Sequence, residues 1–453
     1  MAPGRSPLAP SSLPKVRFDV VVVGSGVSGL SAALAAAKAG ARVGVIDFSD
    51  SIGGYTGGLW SPSEVDPSKS SAELASGLHS RLISDGGVRV MASSEYILRL
   101  PDGSLLVRTP EGYLALEAKA LVMASGGVDA RPVFPGNWLP GIVSSDYMLR
   151  LTSSYNIHFK SVAVVGWNDW ALRVAGQLAS KYADRVVLIA KDGLAKGLRY
   201  LDYASRYGVE LVVDRVTSVK PGPEGLIVDF REYESIVADA IVSTIGPYPD
   251  IVTLAPLCRG FTYSETIKAI VPRFAENHSC GEGVFVAGLA AGEVSEYASY
   301  HGGALAGLGA AVYLGLADES DLKAALIDLM KDPQAADLLV EQRQGPQASP
   351  PAEPEMLVSP GVARAEFVDA CAGVELAALE HYLRRFRDVR AAIEATGALK
   401  GLDSGREALP AIIQFSSMIL GVSPALLPLE TIVPAGAAAP LRLDEAMLIA
   451  GEV

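Results

Sequence analysis

The sequence predicts an α/β chain: two domains built on parallel βαβ units, the second inserted in the first, followed by a small C-terminal helical domain. Three observations predict it. Residues 18–24 (FDVVVVG) form an unbroken apolar run that leads into a glycine-rich turn and a helix-like stretch. Residues 161–166 (SVAVVG) begin the same order of elements again. Residues 344–361 (QGPQASPPAEPEMLVSPG) have the Pro-rich, polar composition of a linker. Apolar runs without alternation mark strands buried on both faces, as in parallel sheets with helical crossovers. The chain therefore reads as two Rossmann-like dinucleotide-binding domains.

Each element follows in order. Residues 1–16 are rich in Pro and Ser and lack an apolar signal-peptide core, so they read as an extension outside the fold. The first domain takes residues 17–150 and 246–340. It begins with the strand at 18–24, a helix over 30–39 and a strand over 41–47. Residues 96–119 alternate strands and turns, with Asp102-Gly103 and Glu111-Gly112 at hairpin positions, and read as an antiparallel meander. Residues 120–124 are a further buried strand, closed by Ser125-Gly126-Gly127. The second domain, 151–245, carries a helix over 170–181 and strands over 185–190 and 240–244. The chain then returns to the first domain through a strand over 283–288 and a small-residue helix over 300–316. Residues 362–453 form the C-terminal unit.

A chain of 453 residues with 49% hydrophobic and 20% charged residues can bury several cores. Its net charge of −13, without a Lys/Arg-rich run, argues against nucleic acid and anionic membranes as partners. The longest apolar stretch, 304–317, is Gly-rich and shorter than the ~20 residues of a membrane span, so no membrane insertion is expected and the predicted location is cytoplasmic. Cys258, Cys280 and Cys371 are isolated, with no C-x-x-C pair, and read as buried thiols in a reducing compartment. The five histidines are scattered singly. Of these His301, in the Glu296–Gly303 stretch, is the one titratable group to test, and a lone His is more often a surface or core residue than a ligand.

The first turn carries the chemistry. In Gly24-Ser25-Gly26-Val27-Ser28-Gly29 the first glycine permits a tight turn, the second lets backbone approach a pyrophosphate, and the third lets helix and strand pack closely. The following helix offers unpaired N–H groups to phosphate. Asp47 stands roughly 20 residues after the first glycine, at the end of the second strand, where a carboxylate accepts hydrogen bonds from ribose hydroxyls. Gly53-Gly54 follows that strand, and Ala124-Ser125-Gly126 closes another.

These residues resemble the flavoproteins of the pyridine nucleotide-disulfide oxidoreductase type, in which a Gly-Gly doublet passes the pyrophosphate and an Ala-Thr-Gly segment ends a strand. The segment 131–142 (RPVFPGNWLPGI) is similar to a stretch of the large subunits of heteromeric amine and amino-acid dehydrogenases: sarcosine oxidase alpha, hydrogen cyanide synthase B, opine oxidase A and dye-linked proline dehydrogenase alpha subunits. Asn168-Asp169-Trp170-Ala171-Leu172-Arg173 resembles the opening of their second Rossmann unit. The resemblance implies FAD on the first glycine turn and a flavin-containing catalytic subunit as partner.

Three departures qualify it. Where the family has Gly-Asp, the Asp binding the flavin ribityl chain, this chain has Gly288-Leu289. One charge-assisted hydrogen bond, about 1.5–3 kcal/mol, is lost, so ATP or ADP becomes a competitor for FAD. In the second unit, Gly166-Trp167-Asn168-Asp169-Trp170-Ala171 lacks the middle glycine and no acid closes the next strand, which makes NAD(P) binding doubtful. At the C-terminus, Val362-Ala363-Arg364-Ala365-Glu366 and Asp403-Ser404-Gly405-Arg406-Glu407-Ala408 align with the family's four-cysteine frame, with Ala, Ala, Asp and Ala at the ligand positions. Iron–sulfur clusters need thiolates, so no [2Fe–2S] cluster is expected. The functional expectation is a nucleotide-binding, electron-transfer subunit of a heteromeric dye-linked dehydrogenase acting on a proline-, sarcosine- or opine-like substrate. A self-sufficient NAD(P)H:acceptor oxidoreductase and a non-catalytic adenine-nucleotide-binding subunit are the alternatives.

Overall fold

The computed structural model describes residues 13–84, 87–190, 198–344, 366–400, 406–427, 429 and 432. Its eight-stranded sheet runs Ser279–Gly281, Val284–Val286, Gly112–Met123, Lys15–Val23, Val43–Ile46, Val88–Met91. From Val284–Val286 onward these strands are parallel, while Glu95–Arg99 and Leu105–Thr109 fold back antiparallel onto Gly112–Met123. The meander is therefore present, and its last strand runs without a break into the buried run that follows. Val20, Val21 and Val22 are fully buried between their two neighbouring strands, as their unbroken apolar sequence requires.

The first strand begins at Lys15, inside the stretch expected to lie outside the fold. Lys15 pairs with Ala115 across the sheet, and its ammonium meets Asp102 at 3.1 Å and Glu117 at 3.3 Å. The polar character of that stretch reflects a solvated strand end. Residues 1–12 lie outside the described residues, as does the linker from 345.

A second, all-parallel sheet has the order Glu210–Val213, Ala183–Ala190, Phe159–Val165, Ala240–Ser243, Ile142–Ser144. It takes in Ile142–Ser144, so the second unit starts before the expected boundary at 151. A three-stranded antiparallel sheet, Val216–Gly222, Gly225–Phe230 and Ile236–Ala238, accompanies it and is a feature the sequence reading did not separate out.

Two helices of the first unit touch backbone to backbone. Val27–Lys38 and Glu296–Tyr313 come so close that a Cβ on Gly303 would lie 2.2 Å from Ser28 O, and one on Gly307 2.2 Å from Ala32 O. The second helix starts at Glu296, ahead of the expected 300, because the Ser295 hydroxyl caps it by accepting from Ala298 N–H at 2.9 Å.

The C-terminal unit is largely helical, with Leu376–Phe386, Val389–Thr396 and Leu409–Leu420 beside a small hairpin, Phe367–Asp369 and Val374–Glu375. It is clasped by the segment 131–142. Arg131 Nε donates to Glu407 at 2.9 Å, and the buried Asn137 amide donates to Phe367 O at 3.2 Å. Three of the four positions that align with the family's cysteines, 363, 365 and 403, lie outside the described residues. Ala408 is buried at the start of the last helix.

The cysteine expectation is corrected in part. Cys258 and Cys280 are buried but form a disulfide, with Cα atoms 4.8 Å apart, and Cys371 is exposed. Spacing along the chain could not reveal the pair, because the return of the chain through the Phe261–Ser264 and Ala269–Pro272 hairpin brings the two together.

Candidate functional site

The glycine turn stands at the carboxyl end of the central strand, where it is flanked by the strand ends at Ile46, Met123 and Val286. Gly24 has φ +102, and a Cβ there would lie 2.1 Å from Ala124 O. A Cβ on Gly29 would lie 2.0 Å from Gly24 O. Gly26, by contrast, has nothing within 4 Å of the position its Cβ would take. The three glycines thus differ in surroundings: two are needed by the protein itself, and the middle one borders open space. Val27 and Ser28 begin the helix, whose N-cap is Gly26 and has no side-chain cap, so its first-turn N–H groups remain available to an anion.

Asp47 is buried beside this turn. One carboxylate oxygen accepts from Ser25 N–H and from the Ser25 hydroxyl, both at 2.6 Å, and the other accepts from Ser49 N–H at 2.8 Å. Gly53 and Gly54 have φ +117 and +56 and lie against the turn: Gly53 N–H donates to Ser25 O at 3.0 Å, and a Cβ on Gly54 would touch Gly26 Cα at 3.0 Å. Ser125 and Gly126 close the strand Gly112–Met123 on the other side, and the Ser125 hydroxyl is buried without a partner. Gly288, with φ +65, sits against Ser28, where a Cβ would lie 2.3 Å from Oγ. All the sequence-predicted residues except Leu289 therefore line or support one cradle. It has the features the adenosine-diphosphate part of a dinucleotide uses: backbone N–H groups, open space at the middle glycine, and a carboxylate at the adjoining strand end.

Leu289 lies at the far side and packs against Gly127, within 2.8 Å of where a Cβ on that glycine would be. Tyr55 covers the same point, its hydroxyl donating to Gly127 O at 2.8 Å, and its ring meets Trp170 edge-on at 5.2 Å. Burial raises the Tyr55 hydroxyl well above its ordinary pKa, so it stays a donor. Asp129 is buried next along the chain and accepts from Ser145 N–H at 2.7 Å; burial, the largest cause, pushes its carboxyl up to about 8.

Two buried clusters of titratable groups lie beside the cradle, and the sequence pointed to Arg173 only as the last residue of the Asn168–Arg173 motif, without its partners. Arg173 of the second unit donates from Nη2 to Glu296 at 3.0 Å and from Nε to the Ser61 hydroxyl at 2.9 Å; Glu296 also accepts from Ser63 and Ser71. Arg173 and Glu296 are 4% exposed each, so this network ties the second βαβ unit to the first. The second is His278, whose Nδ1 lies 2.9 Å from Val286 O and whose Nε2 lies 3.6 Å from Glu293, the acceptor for Gly288 N–H at 2.6 Å. Burial lowers His278 to about 4 and raises Glu293, which makes this a neutral pair. His301 is half-buried between Tyr297 and Tyr300, with ring centroids 4.3 and 5.0 Å away.

The second turn is closed differently. Asn168 caps the helix Asp169–Lys181: its Oδ1 accepts from Ala171 N–H at 2.8 Å and its amide donates to Gly246 O. A Cβ on Gly166 would lie 2.0 Å from the Thr244 hydroxyl. The place that backbone and open space hold in the first turn is filled here by a side chain. Among the described residues no group of three or more His, Cys, Asp or Glu could hold a metal, and no helix is long and apolar enough to cross a membrane.

Comparison with known proteins extends this geometry. The sarcosine oxidase subunit alpha of Rhizobium meliloti (strain 1021) is 29% identical over 198 residues, covering 40% of this chain and 20% of that protein. The chain thus spans about a fifth of the length of that relative. Among solved structures, L-proline dehydrogenase from P.horikoshii superposes with a TM-score of 0.67 at 20% identity, covering 92% of this chain and 77% of that one. T. acidophilum thioredoxin reductase does so at 0.52 with 19% identity, over 66% and 98%. These two show a shared fold. The family model described as pyridine nucleotide-disulphide oxidoreductase matches residues 18–297, which hold both βαβ units and most of the cradle. The chain belongs to the pyridine nucleotide-disulphide oxidoreductase family.

Proposed function

We propose that this chain is the nucleotide-binding, electron-transfer subunit of a heteromeric dye-linked dehydrogenase, with a proline-, sarcosine- or opine-like amino acid oxidised in a partner flavoprotein subunit in the cytoplasm. The observation that carries the nucleotide assignment is the contrast within the glycine turn: Gly26 borders open space while Gly24 and Gly29 are held by neighbouring backbone. In this reading Gly24, Ser25, Gly26, Val27, Ser28 and Gly29 surround the pyrophosphate, and first-turn N–H groups of the helix Val27–Lys38 bind it. Asp47 turns from Ser25 and Ser49 to the ribose, Gly53 and Gly54 allow the loop to pass, and Ser125 and Gly126 border the nucleotide opposite. Bound FAD would supply hydride and single-electron chemistry. Gly127, Tyr55 and Leu289 would exclude water from its reactive end, with Tyr55 holding its proton toward Gly127 O. The heteromeric part rests on likeness to a sarcosine oxidase alpha subunit and on the C-terminal unit clasped to residues 131–142.

Leu289 favours a second reading of the cofactor alone: ATP or ADP in the same cradle, with the flavin held by the partner. A methyl-bearing side chain on Gly127 supplies no acceptor for a ribityl hydroxyl. In either case the second βαβ unit is proposed to be structural, because Asn168 occupies its turn. Two measurements test the proposal: the visible spectrum of the isolated chain with identification of the nucleotide it releases on heating, and the composition of the native complex. Flavin absorption with released FAD supports the first reading; a colourless chain releasing ATP or ADP supports the second. A native protein that elutes as this subunit alone overturns the heteromeric assignment.

A further inference from the structure

The first and second units are joined by two short crossovers. The chain leaves the first unit along Gly127–Val128 and returns along Tyr248–Pro249, and these segments pair antiparallel, Val128 with Tyr248 and Gly127 with Pro249. Backbone bonds continue the pairing on both sides: Asp250 N–H donates to Gly126 O at 3.2 Å, and Ala130 N–H to Ile245 O at 2.8 Å. Two sheets joined by so narrow a ribbon have a pivot there, because a few residues between rigid elements can absorb a domain rotation. The C-terminal unit sits on this pivot. Two consecutive residues of one of its turns, Arg406 and Glu407, reach opposite crossovers. Glu407 accepts from Arg131 Nε at 2.9 Å through its carboxylate, and its carbonyl accepts from Arg131 N–H at 3.3 Å. Arg406 donates from Nε to Asp250 at 3.2 Å and from Nη2 to the Thr253 hydroxyl at 3.2 Å. The helix Leu409–Leu420 follows directly, and its Leu409, Ile413 and Gln414 border one small cavity together with Val128, Tyr248 and Pro249.

These contacts differ from ordinary surface pairs. The Asp250 side chain is 12% exposed and caps the helix Ile251–Leu254, so Arg406 grips the residue on which the returning chain turns. Arg131 is held through both side chain and backbone, and it lies three residues beyond Val128 on the outgoing chain. A single turn bonded to both crossovers fixes the position of one relative to the other. We infer that the C-terminal unit is a clamp on this pivot: Arg406 and Glu407 tie the outgoing and returning crossovers to one turn and hold the second unit in one orientation against the nucleotide cradle. That orientation matters at the end of the cradle, where Trp170 of the second unit meets the Tyr55 ring and the Tyr55 hydroxyl donates to Gly127 O on the outgoing crossover. The clamp rests on the fold alone and is independent of which nucleotide the cradle takes. It gives the C-terminal unit a role that requires only these contacts.

The test is amide hydrogen exchange of the full chain, read by mass spectrometry over residues 126–131 and 245–250, in the parent, Arg406→Gln, Glu407→Gln and the double variant. Arg406 bonds to the returning crossover and Glu407 to the outgoing one, so each single variant removes a contact from one side. A clamp predicts that each single variant speeds exchange about tenfold in both crossovers, the effect of losing a charge-assisted hydrogen bond, and that the double variant adds little. The strands Lys15–Val23 and Phe159–Val165 should keep the parent rate. Both substituted side chains are partly exposed, so the variants are expected to fold, and retained protection of those two strands verifies it. Three results overturn the inference. Faster exchange confined to the crossover that each residue touches, with additive effects, would mean two local pairs. A uniform rise across both sheets would mean a contribution to general stability. Unchanged exchange in every variant would mean that the crossovers hold themselves.

Discussion

The two glycine turns of this protein begin alike and end as opposites. Each follows a buried parallel strand and opens a helix, and each has a first residue, Gly24 or Gly166, whose Cβ would collide with the neighbouring strand end. They part at the third residue. Gly26 has no side chain and borders open space, whereas Asn168 caps its own helix and reaches Gly246 O. A helix start can satisfy its N–H groups with a ligand or with its own side chain, and one residue decides which. The first turn is built to be completed from outside; the second is complete already.

Four experiments break or sharpen that contrast, from the largest expected effect downward. Arg173→Met leaves Glu296 buried without its countercharge and should cost about 3–5 kcal/mol, seen as a lower thermal midpoint. If the second unit is held structurally, nucleotide content per folded chain should stay unchanged in this variant. Gly26→Asn transplants the second turn's residue into the first. It should leave the fold intact, since the space is open, but weaken nucleotide retention about 100-fold through lost phosphate contacts. Retained nucleotide would show that the cradle is not the binding site.

The third experiment addresses the junction, where Asp129 accepts from Ser145. Burial raises its folded pKa to about 8, above an unfolded value of about 3.9, so its stabilising contribution is complete below pH ~4 and lost as the pH rises towards 8. Asp129→Asn should therefore gain in thermal midpoint relative to the parent across that window, and a constant difference from pH 4 to 8 would refute the assignment. The smallest effect is expected of Asn168→Gly. Removing the cap for glycine should cost only a few tenths of a kcal/mol, and titration with NADH should show no new binding, because no acid stands at the end of the next strand.

Most of the architecture was legible because it rests on local signals. The unbroken valines of Lys15–Val23, the spacing of Gly24, Gly26 and Gly29, and the position of Asp47 are all patterns along the chain. Asn168 was legible for the same reason, as a side chain where glycine would be needed. What could not be read depends on distant partners. Arg173 stands in the Asn168–Arg173 motif, but it meets Ser61, Ser71 and Glu296 only after the two units close on each other, and the motif names none of these partners. The Cys258–Cys280 bond needs the intervening hairpin, and Ile142–Ser144 looks like a loop until Ala240–Ser243 supplies its ladder. Gln414, in an apolar helix, reads as an isolated polar residue until the cavity beside it is seen.

The clasp between residues 131–142 and the C-terminal unit bears on how such a chain can be dissected. Arg131 and Asn137 belong to the first unit by sequence but spend their hydrogen bonds on Glu407 and Phe367. Cutting the chain at the linker would therefore not release a finished domain. It would bare a guanidinium and an amide shaped for a missing partner, together with the apolar wall around Val128.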